Sequence, residues 1–187
     1  MPLSTRMNPI GMIEPDIHVH QAKTEDTEAV LQLLVSTAEW LKSKGSSQWN
    51  ALLRGEDSHR TPEAIGRGEV YLFRRGGVLA GMVMLMQKAS PWDRELWGEE
   101  GHESSIYLHR LTTNREVAGR NLGEAIVRWA ESGIRFPGKD RIRLDCVAGN
   151  ERLNEFYLKC GYTYLGKAPN GMGEYSKFEK VIASGGG

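Results

Sequence analysis

The run Leu111-Thr112-Thr113-Asn114-Arg115-Glu116-Val117-Ala118-Gly119-Arg120-Asn121-Leu122-Gly123-Glu124 has the residue types and order to hold an anion. An extended stretch, Ile106 to Thr113, leads through a short glycine-bearing loop into an amphipathic segment. Amides at a helix start lack intrahelical partners and point outward, and the positive end of the helix dipole adds to their pull on negative charge. Gly119 and Gly123 clear side chains from where a phosphate would approach, and Asn121 tolerates a left-handed backbone. An ordinary tight strand-to-helix turn has the same pattern, so the surrounding elements must decide.

Those elements follow from periodicity. Ile17-His18-Val19-His20 alternates as a half-buried strand. Thr24 caps a predicted helix with Glu25 and Asp26 in its first turn and an apolar stripe of Val30, Leu33, Leu34, Thr37, Ala38 and Leu41, ended by Gly45. Residues 46–59 are turn-rich and unassigned. Thr61-Pro62-Glu63 starts a short helix. Glu69 to Arg74 and Val78 to Gln87 read as strands joined at Arg75-Gly76-Gly77. Ser90 to Ser105 reads as a polar, aromatic-bearing loop. A strand (Ile106–Thr113), a helix (Leu122–Gly133), a strand (Arg141–Val147), a short helix (Arg152–Cys160) and two closing strands (Tyr162–Gly166, Tyr175–Ile182) complete the order. The expected class is α/β (α+β), a mixed sheet flanked by helices.

Composition narrows the function. The 187 residues carry 24 basic and 24 acidic side chains, a net charge of +0, so no global electrostatic case exists for a nucleic-acid or membrane partner. The two cysteines, Cys146 and Cys160, form no CxxC pair and sit in no histidine cluster. That disfavours a disulfide scaffold or metal site and points to a reducing, cytoplasmic setting. No apolar run approaches the roughly 20 residues needed to span a bilayer. Residues 1–14 read as a flexible extension, with Met1 and Met7 ahead of Met12, and lack the basic-then-apolar order of a secretion signal. Residues 15–183 read as one domain, and Ser184-Gly185-Gly186-Gly187 as a flexible tail.

Downstream lies Asn150-Glu151-Arg152-Leu153-Asn154-Glu155-Phe156-Tyr157-Leu158-Lys159-Cys160-Gly161-Tyr162, with Leu153, Phe156, Tyr157 and Cys160 on one helical face and Gly161 as its stop. With this segment following the Leu111–Gly123 loop, the chain resembles the GNAT family of acyl-CoA-dependent N-acyltransferases from Ile17 to about Ile182. The resemblance implies a largely antiparallel sheet splayed at two central parallel strands, with acetyl-CoA as co-substrate and no metal. It places the family's Arg/Gln-x-x-Gly-x-Gly/Ala motif on Ala118, Asn121 and Gly123, with Gly119 and Arg120 inside it. Amides of Gly119, Arg120, Asn121, Leu122 and Gly123 would hold the CoA pyrophosphate. Leu111, Thr112 and Thr113 would run beside the pantetheine arm, with Leu111 and Thr113 pairing through their backbones. Asn150 matches a pantetheine contact and Tyr157 the usual general acid. Ala118 departs from the long polar residue and Asn121 from a glycine, yet neither removes a backbone donor.

The chemistry explains the residue types. An amine attacking a thioester expels a thiolate, and a phenol with a pKa near roughly 10 stays protonated at neutral pH to relieve that charge. Tyr157 could equally just fill its apolar stripe. The amine must shed a proton, and His109, on the central strand, is the best titratable candidate; a histidine satisfied within the core or by a neighbouring carboxylate is the competing account. Strand alternation puts His109 on the face of Tyr107 and Leu111, with Arg110 opposite, anchoring a buried carboxylate. Trp40, Trp49, Trp92 and Trp97 precede the CoA motifs, and Asp93, Glu95, Glu99, Glu100 and Glu103 surround the last two. Aromatic faces and carboxylates suit a cationic amine, small molecule or peptide. Families of this kind also admit a homodimer. Two rivals stand beside acetyl transfer: a non-catalytic acyl-CoA-binding module, and a nucleotide-phosphate binder. The latter lacks the Gly-Lys-Ser/Thr of a P-loop.

Overall fold

The computed structural model describes residues 11–14, 16–46, 49–119, 121–171 and 173–183. Arg120, expected to give an amide to the anion site, lies outside them, as do residues 1–10 of the expected extension and the tail at 184–187. The chain divides into two units, one holding residues 11–84 with Arg110–Ile126, the other Leu85–His109 with residues 127–183. Among the described residues no helix is long and apolar enough to cross a membrane.

The first unit contains strands β1 (Gly11–Glu14), β2 (Ile17–Gln21), β3 (Val70–Arg75) and most of β4 (Val78–Met86), with the end of β5 (Ser105–Thr113), in the order β1-β2-β3-β4-β5. β1 to β4 pair antiparallel, and Gly76 and Gly77 at φ 55° and 82° turn the predicted hairpin. Helices α1 (Thr27–Ser43), α2 (Asn50–Leu53) and α3 (Thr61–Gly66) belong here, as does the start of α5 (Leu122–Ser132). α1 buries Val30, Leu33, Leu34 and Ala38, the core of its predicted stripe. Gly81 permits close packing: a Cβ there would lie 2.9 Å from Ile126 Cδ1 and 3.0 Å from the Thr112 carbonyl oxygen.

The second unit holds α4 (Pro91–Trp97), the start of β5, the rest of α5, β6 (Arg141–Val147), α6 (Glu151–Lys159), β7 (Thr163–Asn170) and β8 (Gly173–Val181), with strand order β5-β6-β8-β7. β5 and β6 are parallel and pair from Ser105↔Arg141 to Tyr107↔Arg143. Both strands continue beyond that register with no further pair between them among the described residues. β6 stays paired with antiparallel β8 as far as Val147↔Tyr175. This is the mixed, largely antiparallel sheet with diverging central parallel strands that the resemblance implied.

Three expectations are corrected. The stretch expected to be a flexible extension up to residue 14 contains β1, whose backbone pairs Gly11 with Val19 and Met12 with His18. The expected loop from Ser90 to Ser105 contains α4, started by a capping box: Ser90 Oγ accepts from the Asp93 amide at 3.2 Å, and the Ser90 amide donates to Asp93 Oδ2 at 3.0 Å. Finally, Arg110 sits at φ 56° inside β5, a left-handed residue that interrupts strand alternation. The orientation of Leu111 therefore does not follow by parity from His109.

Candidate active site

The loop after β5 is built on Asn114. Its amide donates to the Ala80 carbonyl at 2.7 Å and its side-chain Nδ2 to that of Leu79 at 3.1 Å. Its own carbonyl accepts from Val117 and Ala118 at 3.0 and 2.8 Å, forming one tight turn. Gly119 and Asn121 then take φ 71° and 64°, and α5 begins at Leu122. Ala118 and Leu122 are buried, whereas Gly119 and Asn121 are exposed. Among the described residues no backbone carbonyl accepts from the amides of Gly119, Asn121, Leu122 or Gly123. At Ala118, where the family motif has a long polar side chain, Arg75 Nη2 donates to the backbone carbonyl at 3.1 Å while Nη1 pairs with Asp16 at 2.7 Å. A guanidinium from β3 thus stands beside the loop. Leu111 and Thr113 are half-buried on β5, and Thr112 is buried with its hydroxyl donating to the Arg110 carbonyl at 2.9 Å.

His109 is buried, and its Nε2 lies 2.8 Å from Asp93 Oδ1. Asp93 is fully buried and accepts from the Ser90 amide and hydroxyl through Oδ2. Burial drives the Asp93 carboxyl upward, but the His109 charge and hydrogen bond and the Ser90 donors outweigh it, so its pKa is lowered. Asp93 is therefore an acceptor, Nε2 carries the proton, and in the neutral ring Nδ1 carries the lone pair. Asp145 on β6 adds a second carboxylate. The Trp92 indole donates to its Oδ2 at 3.3 Å, while its buried Oδ1 has no partner among the described residues. Burial pushes its pKa up to about 6; His109 opposes that shift and Asp93 adds to it. Ligand atoms of Asp93, His109 and Asp145 lie within 4.8 Å of one another, close enough to share a cation. Asp93 already has both oxygens engaged, so the arrangement is better suited to holding and moving a proton.

Tyr157, on α6, is buried beside Phe156, Tyr162 and Phe178. Its hydroxyl makes no hydrogen bond with the described residues. Burial raises its pKa well above the usual phenol value, and Cys146 and Asp145 add to the rise, so the proton stays on until a stronger acceptor arrives. Burial likewise pushes the Cys146 thiol up to about 12, which removes it as a nucleophile at neutral pH. Asn150 caps α6, its Oδ1 accepting from the Leu153 amide at 3.1 Å, which leaves its Nδ2 to donate elsewhere.

The four tryptophans divide. The Arg115 guanidinium lies over Trp40 at 3.9 Å, Arg110 over Trp49 at 5.0 Å, and Arg143 over Trp97 at 4.6 Å. In these three the chain's own arginines make the cation–π contact. Trp92 instead holds Asp145 and meets Tyr175 edge-on at 4.8 Å. Reasoning from sequence missed Asp93 and Asp145 as partners of His109. The Ser90-Pro91-Trp92-Asp93 capping signature and the lone acid of β6, in alternating register with Arg141 and Arg143, were the available signals.

Residues 34–162 match the model of the acetyltransferase (GNAT) family. The chain is 49% identical over 160 residues to the uncharacterized N-acetyltransferase YesJ of Bacillus subtilis strain 168, covering 86% of this chain and 87% of the relative. A GNAT-family acetyltransferase crystal structure from Listeria monocytogenes 4b F2365 superposes with a TM-score of 0.70 at 31% identity, covering 89% of this chain and 95% of that one. The microcin C7 self-immunity acetyltransferase MccE, solved with acetyl-CoA and AMP, shares the fold at a TM-score of 0.60 and 14% identity, over 94% of this chain and 98% of its own. The chain belongs to the GNAT family of acetyltransferases.

Proposed function

We propose that the protein transfers the acetyl group of acetyl-CoA to a primary amine by direct attack in a ternary complex. The observation that carries this reading is the Asn114–Gly123 turn. Its amides at Gly119, Asn121, Leu122 and Gly123 have no backbone acceptor among the described residues and lie at the positive end of α5. A diphosphate satisfies such donors. The MccE structure with acetyl-CoA, a neighbour in fold, agrees with that cofactor class.

In the step itself the amine nitrogen bonds to the thioester carbon and the carbon–sulfur bond breaks. The departing thiolate takes the Tyr157 proton, which burial has kept in place. The proton leaving the amine passes to His109 Nδ1, and Asp93, bonded to Nε2, stabilises the imidazolium that forms. Asp145 adds negative potential that favours an acceptor arriving as an ammonium ion. The high thiol pKa of Cys146 argues against an acyl-cysteine intermediate. Much of the rate comes from positioning, because the thioester is already activated.

Calorimetry with CoA, acetyl-CoA and ATP, paired with an acetyl-transfer assay over amines and peptides, tests this reading. Both CoA species should bind more tightly than ATP, and transfer should show ternary-complex rather than ping-pong kinetics. Absence of heat with CoA, or binding without transfer across the panel, overturns the proposal.

A further inference from the structure

Arg110 is a buried cation whose partners do not satisfy it. Only 7% of its side chain is exposed. Its nearest carboxylate oxygen, Asp57 Oδ1, is 3.9 Å away, too far for a hydrogen bond. Asp57 is already engaged: Oδ1 accepts from the His59 amide at 3.3 Å and Oδ2 from the Thr61 amide at 2.7 Å. Arg110 Nε is buried, and among the described residues none accepts a hydrogen bond from it or from the rest of this guanidinium. Burial depresses its pKa, with Asp57 only partly opposing. Thr61, held by the same aspartate, is fully buried with a hydroxyl that also lacks a partner among the described residues.

Such a group is costly to bury without acceptors, and the local backbone is unusual as well. Arg110 has φ 56°, and Trp49, whose ring lies 5.0 Å from the guanidinium carbon, has φ 65°. Left-handed non-glycine residues are strained and persist where surrounding structure or function requires them. Trp49 packs against the guanidinium but offers it no hydrogen-bond acceptor, so the N–H groups are left for a further ligand. A planar carboxylate meets them with two parallel hydrogen bonds. The cofactor phosphates have their own donors in the turn at Gly119–Gly123, downstream of this strand position.

We infer that Arg110, with Trp49 packed against it and Thr61 tied to the same Asp57, binds a carboxylate of the acceptor, so that the amine substrate is amino-acid-like. The inference rests on the acetyl-transfer reading for the word acceptor; the anion site itself does not depend on it.

Two measurements on the full chain separate the two claims. In the first, the Nε–H resonances of arginine-labelled protein are followed while sodium acetate is added to tens of millimolar. One resonance, absent in Arg110→Lys, should shift saturably; no shift overturns the inference whether or not the protein turns over. In the second, kcat/KM is compared within matched pairs at saturating acetyl-CoA: α-amino acids against their amides, β-alanine against its amide, phosphoethanolamine against ethanolamine. The carboxylate member should win by about tenfold or more, mostly in KM. Arg110→Gln should erase that preference, leave the amides' rates and CoA affinity within about twofold, and be partly rescued by Arg110→Lys. Equal rates within every carboxylate pair, preference only in the phosphate pair, or an Arg110→Gln loss shared by CoA overturns the carboxylate assignment. An acetate-induced shift with no transfer to any amine would instead sink the acetyl-transfer reading and leave the anion site standing.

Discussion

His109 and Arg110 are consecutive on β5, yet their surroundings follow opposite rules. His109 has a fully buried carboxylate 2.8 Å from Nε2, itself fixed by the Ser90 cap. Its protonation geometry is set before any substrate arrives. Arg110 has one long ion pair, a tryptophan packed against it and no hydrogen bond to the described residues. The first environment is complete within the protein and prepares a proton acceptor. The second is incomplete and is finished by something from outside. A satisfied buried polar group orients chemistry; an unsatisfied one needs an explanation, which at Arg110 is the proposed carboxylate.

The largest effect should come from the group that completes acyl transfer in the His109 unit. Tyr157→Phe keeps the ring among Phe156, Tyr162 and Phe178 and removes only the hydroxyl. Turnover should fall about 10³-fold with CoA affinity within about twofold, measured by steady-state kinetics and calorimetry. Unchanged turnover would mean that the thiolate leaves without a proton from this residue. Next in size is Asp93→Asn. An asparagine can still cap α4, but its amide hydrogens would face Nε2 and turn the ring to the Nδ1–H tautomer, closing off the proposed base. A loss of about 10² in kcat is expected, with the pH–rate profile altered and CoA binding retained. A loss of stability with an unaltered pH profile would reduce Asp93 to a helix cap, and the contrast with Arg110 would then fail.

Much of this architecture was legible because local pattern and tertiary role agree. β6 keeps its predicted limits, Arg141–Val147, since alternating apolar residues meet a sheet neighbour throughout. The stripe of α1 and the Gly76-Gly77 turn likewise report forces acting within a few residues. The candidate site was only half legible. Asp93 looked like one of several surface carboxylates in a loop, whereas it is fully buried as the third residue of a capped helix. Asp145 continues the polar alternation of Arg141 and Arg143 along β6, and its neighbours Trp92 and His109 are distant in sequence. The tryptophans had the right chemistry for cations, and which cation each would meet was decided by tertiary contacts with Arg110, Arg115 and Arg143. The left-handed Arg110 had no local signal of the glycine or asparagine kind.

The smallest expected effect on turnover, and the one that tests how complete the His109 environment is, concerns Asp145. Its pKa is about 6 in the folded protein against 3.8 for the free side chain, because burial penalises the charged form more than His109 relieves it. The fold therefore favours the protonated carboxyl. Near pH 4 and below the group costs little, the penalty grows as pH rises towards 6, and above that it is full. Two pKa units at about 1.4 kcal/mol each give roughly 2–3 kcal/mol. Asp145→Asn keeps an oxygen for the Trp92 indole and removes the charge. The variant should unfold several degrees higher than the parent at pH 7.5, with the gap closing near pH 4. Its kcat/KM for cationic amines should fall by about tenfold or less, and the pH–rate profile should change with the loss of the Asp145 carboxyl. A thermal gap that persists unchanged at pH 4 would show that the charge is not its source. A higher kcat in the variant would mean that this carboxylate stabilises His109 as a bound cation and restrains the base it adjoins.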